Sequence, residues 1–503
     1  MIDWPIINSA LKQWLIGMLL VLGWFLVTNF TCAAGGCNDA TASNMSLIGL
    51  GGITFIGARA AHSLMRADTQ LLFTPLVAYA AASALFFGFG PMSSFLASDA
   101  TLRFLANSIY ATTPEEVLRT GLLSSSGIAI SLIAIVLLLP RYAKAVRYRP
   151  VINLRKVTMI LLITGLALNH LVIMPSVYGT LKFSVPGMIG NLRYLPDIGF
   201  ALVAMLAAQG SNRWKLLFWM IWPWHLLLAF PEFSKKAVML TIIMPAIGAF
   251  IGHRSFRRLA LWIVAAMLLF ASLQNINAIS RWAASDAQEH SEVLTLRDRF
   301  QILLASGIST TNVDDLLPEA QIGVETWWLR LNYSGPQAAA MELYDSGNTS
   351  TFTTNILVYL VPRILWPDNP PLPSPGQAFN AIVSGNPDNQ TKVGVTVFAD
   401  GYWQFGWFGV FLWSACVGVI FAVMTRMTLM QLGAGRYLYL PAAILGVQMG
   451  ATSMTAFFQN GFLAGLPVYF AYCFVVYLLY RILGDIGKAQ ALRRGAPPPR
   501  VAA

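Results

Sequence analysis

Charge is scarce in this chain. Of its 503 residues only 11% are Asp, Glu, Lys or Arg, while 56% are hydrophobic. A soluble domain carries about 25% charged residues, so this composition leaves lipid to cover most of the apolar surface. Cysteine is scarce as well: four residues are too few for a disulfide scaffold or a metal cluster. Cys32 and Cys37 fall in one short loop where they can pair, and Cys416 and Cys473 lie in apolar runs as packing residues. No glycine-rich loop followed by Lys and Ser or Thr is present, which argues against an ATP-driven pump. The five histidines, His62, His170, His225, His253 and His290, show no metal-ligand spacing, and the sequence points to no cofactor. His170 and His225, near span ends, read as packed or hydrogen-bonded residues. No internal repeat supports an inverted-repeat transporter.

What is present is a series of apolar runs of the length a helix needs to cross about 30 Å of hydrocarbon. They fall near 14–30, 45–64, 71–91, 118–140, 157–176, 194–210, 214–230, 236–252, 258–273, 404–425, 437–457 and 462–482. Small residues follow the first run at Thr31–Gly36 and mimic a leader-cleavage site, but with so many spans behind it the run reads as an anchor. The net charge of +11 does not indicate nucleic acid; its distribution indicates orientation. Arg141, Lys144, Arg147, Arg149, Arg155 and Lys156 crowd one connection, which is therefore expected inside. That choice gives the inner loops and flanking span ends 21 of the 33 Lys and Arg, with only Asp3, Asp68 and Asp485 as acids. Both termini are then cytoplasmic, and the tail holding Arg493, Arg494 and Arg500 lies near anionic lipid.

The expected organisation is all-α. Transmembrane helices 1–9 occupy 1–273, a large outer loop occupies 274–403, helices 10–12 occupy 404–482, and a basic cytoplasmic tail occupies 483–503. Within the loop, 281–305 reads as an amphipathic helix and 325–344 as two short helices broken at Gly335-Pro336. The apolar stretch 355–366 is too short to cross and reads as re-entrant or interfacial. A loop of this size covering a bundle is a natural lid.

Arginine on the outer side is the informative signal. Arg193 lies at the mouth of the sixth span, Arg330 follows Trp327-Trp328, and Arg363 sits in Pro362-Arg363-Ile364-Leu365-Trp366. Each reads either as a snorkelling interfacial residue or as part of an anion site, since a guanidinium fork binds phosphate bidentately. Trp282, Trp327, Trp328, Trp366, Tyr402, Trp403 and Trp407 form either an interfacial belt or a platform for sugar rings. Glu325, Glu342, Asp345 and Asp400 are candidate general bases, with Asp400 and Glu325 preferred; the alternative for Asp400 is helix capping.

The run Tyr359-Leu-Val-Pro-Arg363-Ile-Leu-Trp366-Pro-Asp-Asn-Pro370, a polar turn at 385–391, and Gly401-Tyr402-Trp-Gln-Phe-Gly-Trp-Phe-Gly409 together resemble the O-antigen polymerase family. These are oligosaccharide repeat-unit polymerases of bacterial envelopes. Asn369 stands where the family usually has Lys, and Gln404 where it usually has Asn. The motifs cover about 325–410. The resemblance implies a helical membrane fold similar to the GT-C glycosyltransferases and work on the outer face of the inner membrane. It also implies a substrate of oligosaccharide on polyprenyl diphosphate, with a flippase and a chain-length regulator as partners beside the bilayer, and no nucleic acid. Arg193, Arg330 and Arg363 would then grip diphosphate, Tyr402, Trp366 and Trp328 would line the substrate path, and Asp400 or Glu325 would take the acceptor proton. An O-antigen ligase shares the topology. A polysaccharide or lipid-linked sugar transporter is the alternative from another class, disfavoured by the few charges inside the spans.

Overall fold

The computed structural model describes residues 4–139, 154–178, 190–272, 294–308, 325–350, 374–387, 391–452 and 455–493, with single residues at 280, 358, 361, 366 and 368. Among them there are helices and turns but no strand. In chain order the main helices are α1 (Trp4–Thr31), α2 (Asp39–Ala67), α3 (Pro75–Ala82), α4 (Pro114–Leu138), α5 (Leu154–Leu168), α6 (Leu195–Ala208), α7 (Asn212–Ala229), α8 (Lys235–His253), α9 (Phe256–Ser272), α10 (Ser334–Asp345), α11 (Val397–Gly433), α12 (Leu440–Thr452) and α13 (Gly465–Arg493). Seven continuous helical segments among the described residues are long and apolar enough to cross a membrane: Trp4–Gly36, Asp39–Ala67, Pro75–Leu96, Pro114–Leu138, Leu154–Val177, Val397–Gly433 and Gln459–Arg481. The runs expected at 194–210, 214–230, 236–252, 258–273 and 437–457 are also helices, but shorter or less apolar. This is a helical membrane protein: Leu20, Val27 and Phe30 of α1 and Phe470, Phe474 and Tyr477 of α13 stand exposed, and only lipid accommodates such a surface.

The chain folds into two compact units, one of 1–151 with 328–503 and one of 152–327. This division cuts across the one read from the sequence, because the 274–403 loop is shared between the units. The basic connection at 141–153, most of 355–366 with Arg363, and the tail from 494 lie outside the described residues. So do Trp282 and the first part of the expected 281–305 helix, whose later part is seen as Leu296–Ile308.

In the first unit α1 packs on α2 and α4, α4 on α11, and α12 on α3. Between apolar helices in lipid there is little hydrophobic drive, so close packing and interhelical hydrogen bonds hold the bundle, the latter at about 0.6 kcal/mol each. Tyr79 OH donates to Ser131 Oγ at 3.1 Å, and Asn29 Nδ2 donates to the Leu118 carbonyl at 3.2 Å. The expected pair Cys32–Cys37 is a disulfide that closes the turn between α1 and α2. The loop is tied to the bundle: α10 lies on α4 and α11, and its Gln337 Nε2 donates to Thr396 Oγ1 at 2.8 Å. Trp328 Nε1 donates to the Phe89 carbonyl at 2.8 Å while its ring stacks on Phe89.

The segment Gly401–Gly409 breaks α11. Phe405 leaves the helical region, and Gly406 takes φ 61° and ψ −144°, a conformation in practice reserved for glycine. The bend brings the backbones of Gly401 and Gly409 into contact, where neither has room for a Cβ. Thr396 caps the first segment by accepting from the Ala399 N–H.

Gly406→Ala should lower the thermal midpoint of the purified protein, because it sets a left-handed residue at a cost of about 1–3 kcal/mol and drives its Cβ into the Tyr344 ring. Gly23→Ala, with open space around it in α1, should leave the midpoint unchanged or raise it.

Candidate functional site

In the second unit α6 is the central helix. It packs on α5, α7 and α8, and Leu195 through Ala207 are all buried, as expected of a helix apolar on every side. Pro196 in its first turn presets the helical φ, and Asp197 follows at the positive end of the helix dipole. Asp197 is the acid that departs from this apolar pattern, and it is buried.

Its partner is the buried His225 of α7, whose Nε2 lies 3.1 Å from Asp197 Oδ1. The other ring nitrogen, Nδ1, lies 3.2 Å from Nε2 of His170. The His225 ring stacks on Phe200 of α6 at 5.1 Å and meets His170 edge to face, so its orientation is fixed. His170 reaches this position from a π-helical turn, Asn169–Ile173, that extends α5; such turns recur where a helix re-aims functional side chains.

Asn169, His170, Arg193, Asp197, His225 and Glu232 border one cavity. Its space is about 10 Å³, room for a single water-sized group. All of these residues stand at one end of the helices: the C-terminal ends of α5 and α7 and the N-terminal side of α6. Arg193 lies on the rim, 3.8 Å from Glu232 and 4.8 Å from the centre of the Tyr194 ring. Burial raises the Glu232 carboxyl above its ordinary range, with the Arg193 cation pulling the other way.

The turn that carries Glu232 is strained and braced. Phe233 is left-handed at φ 50°, a conformation that costs a side-chain-bearing residue about 1 kcal/mol or more. Arg299 of the Leu296–Ile308 helix holds it: its guanidinium lies 5.5 Å from the centre of the Phe233 ring and 4.8 Å from that of Tyr178, and donates to the Pro231 carbonyl at 3.3 Å. This part of the long loop therefore clamps the edge of the cavity.

The residues preferred from the sequence are spread over both units. Arg193 and Glu325 belong to the second unit and Arg330 to the first; Glu325 is half-buried and Arg330 is exposed. Arg330 lowers, and burial more strongly raises, the phenol of Tyr333, which ends pushed up to about 12. Trp366 is exposed, and Arg363 lies outside the described residues. Asp400 is fully buried and already occupied: Gln404 Nε2 donates to Oδ1 at 2.6 Å and the Phe458 N–H donates to Oδ2 at 2.8 Å. It therefore joins the α11 segment to the start of the Gln459–Leu463 turn, with both oxygens already accepting a hydrogen bond. The N-terminal cap of α11 falls to Thr396.

Tyr402 belongs to a second polar cluster. Its OH donates to Asp345 Oδ1 at 3.0 Å and accepts from Arg119 Nη2 at 3.0 Å, while Arg119 and Asp345 pair at 2.5 Å. Asp345 was among the candidate bases; Arg119 was not singled out. About 40% of each charged side chain is exposed, so this pair contributes little stability. Among the described residues no group of three or more His, Cys, Asp and Glu is arranged to hold a metal ion.

Sequence reading missed the Asp197–His225–His170 chain. The residues are 28 and 55 positions apart, and the available signal was that all three stand near span ends expected on the same side. No protein-family model, curated protein or solved structure matches the chain.

Glu232 gives a pH test of this geometry. A carboxyl raised in the fold contributes stability at low pH that is lost as pH rises through its folded value. Glu232→Gln should therefore flatten that part of the fall in thermal midpoint between acid and neutral pH. Identical wild-type and variant curves would show that Glu232 ionises as freely in the fold as in water.

Proposed function

We propose that the chain is a membrane glycosyltransferase that joins polyprenyl-diphosphate-linked oligosaccharide repeat units into a surface polysaccharide. The reading places it in the inner membrane with both termini cytoplasmic. All twelve expected spans then cross, the five shorter helices included, in a fold resembling the GT-C enzymes. The reaction needs a cation for the departing diphosphate, an acceptor for the proton of the attacking hydroxyl, and an apolar groove for the isoprenoid.

The observation that carries the reading is the polar cluster at one end of the second unit's apolar helices. There a rim guanidinium, Arg193, stands over a chain of buried carboxylate and two imidazoles. Resemblance of the 359–370 and 401–409 segments to the repeat-unit polymerases supports it. The bend at Gly406 gives that second motif a physical reason, since its glycines are what the contact between Gly401 and Gly409 requires. The Cys32–Cys37 disulfide supports an oxidising outer side for its loop, as such bonds persist outside the cytoplasm. A chain-length regulator and a flippase are the partners this reading implies.

Arg193, Arg330 and Arg363 are the cations assigned to diphosphate. Replacing each by Ala should lower polymer formation from purified lipid-linked units by about 10- to 100-fold, a charge-assisted bond being worth about 1.5–3 kcal/mol. Lys should restore little, since it lacks the bidentate fork. In cells, single lipid-linked units should accumulate. Polymer retained on polyprenyl lipid with loss of transfer to lipid A core would instead mark a ligase. Normal polymer in all three Ala variants would overturn the assignment.

A further inference from the structure

The Asp197–His225–His170 chain has a direction. A carboxylate oxygen only accepts, so the 3.1 Å contact requires His225 to donate through Nε2. Neutral His225 then has Nδ1 as its acceptor, and the 3.2 Å contact requires His170 to donate through its own Nε2. The lone pair left over at the end of the chain is Nδ1 of His170. With His225 neutral the order follows from the donor chemistry, and packing holds it, with Phe200 against the His225 ring and Asp197 enclosed in α6.

One acceptor at the cavity that His170 borders lacks a donor. Asn169 Oδ1 is buried there without a hydrogen-bond partner. Leaving a buried acceptor unpaired costs about 1–3 kcal/mol, so the site favours an occupant that brings an O–H group. The space fits a group the size of a water oxygen, which is also the size of a sugar hydroxyl. The charged and titratable groups facing it are Arg193 and Tyr194 from the 191–194 turn, Asp197 from α6, His225 from α7, and Glu232. Among the described side chains of α8, the uncharged Ala237 and Thr241 reach it.

We propose that this cavity is the acceptor-hydroxyl site, with His170 the catalytic base and His225 and Asp197 positioning it. The inference rests on the glycosyl-transfer reading above. The hydroxyl oxygen forms the new bond to the anomeric carbon and its proton passes to Nδ1 of His170. The bond from that carbon to the diphosphate oxygen breaks, and polyprenyl diphosphate leaves with the electron pair. The His170 imidazolium is held by donation to His225, and His225 by donation to Asp197. Release of the proton to solvent resets the chain. Bound sugar presents neighbouring hydroxyls, and one of them supplies the donor that Asn169 Oδ1 lacks.

The test uses the full chain in nanodiscs with lipid-linked repeat units. His170→Gln should lower kcat by about 100- to 10,000-fold with KM little changed, the usual contribution of a general base. Asp197→Asn should move the acid limb of the pH–rate profile, because it removes the carboxylate at the end of the relay; a purely structural role would not move that limb. His170→Gln that folds and turns over at the wild-type rate overturns the inference. If that variant does not fold, the wild-type profile decides: activity must fall through one protonation as pH is lowered, and a profile flat down to the pH at which the protein unfolds overturns the relay. ¹⁵N-histidine spectra give a readout independent of activity: the relay requires the Nε2–H tautomer of His225, and Nδ1–H overturns it. Wild-type protein that makes no polymer sinks the glycosyl-transfer reading itself, whereas polymer made equally well by His170→Gln sinks the relay alone.

Discussion

A carboxylate enclosed by apolar helices persists only with its donors already in place, and the first unit turns on one such group. Asp400 takes an amide from Gln404 one turn along its own helix and a backbone N–H from Phe458 across the bundle. Removing either donor leaves a buried acceptor without compensation. The same demand explains Gln337, whose amide reaches both Ser124 and Thr396 in a buried setting. In hydrocarbon each of these groups is stabilised by another group of the protein, so the polar contacts specify which helix faces which.

The second unit answers the demand differently. Asp197 meets an imidazole, and that imidazole meets a second one nearer the rim. A carboxylate closed off by an amide and a backbone N–H is finished; one that ends in a histidine still has a lone pair to offer. On the proposed reading, this contrast favours His170 over Asp400 as the base. It also gives Arg193 a setting, beside Glu232 on a turn braced by Arg299.

Much of the fold was legible because its signal is local. A run of apolar residues long enough to cross is a property of one segment, and the seven long spans stand where hydropathy put them. The Cys32–Cys37 pair was legible for the same reason, five residues apart in one turn. The sites were less legible because they are assembled from distant segments: Arg119 meets Asp345 across 226 positions and Tyr402 across 283. Asp400 stands out in the sequence as an acid at the start of a span, but its bond to the Phe458 N–H, 58 positions away, is visible only in the fold. The span count was less legible: α6 and α12 are apolar along their length but shorter than a helix needs to cross about 30 Å of hydrocarbon unaided.

The helix that extends α5 continues from His170 to Val177, a further seven residues, or about 10 Å of rise. The Asp197 cluster thus lies recessed from that helix end by about the same distance. On the glycosyl-transfer proposal, an isoprenoid carrier riding in the bilayer would keep its phosphates near that depth, so it would meet Arg193 by sliding sideways, with its tail still immersed. Lifting the tail clear would cost about 0.8 kcal/mol for every methylene withdrawn. A recessed centre turns the encounter into a search over a plane and leaves the sugar, rather than the lipid, to do the climbing.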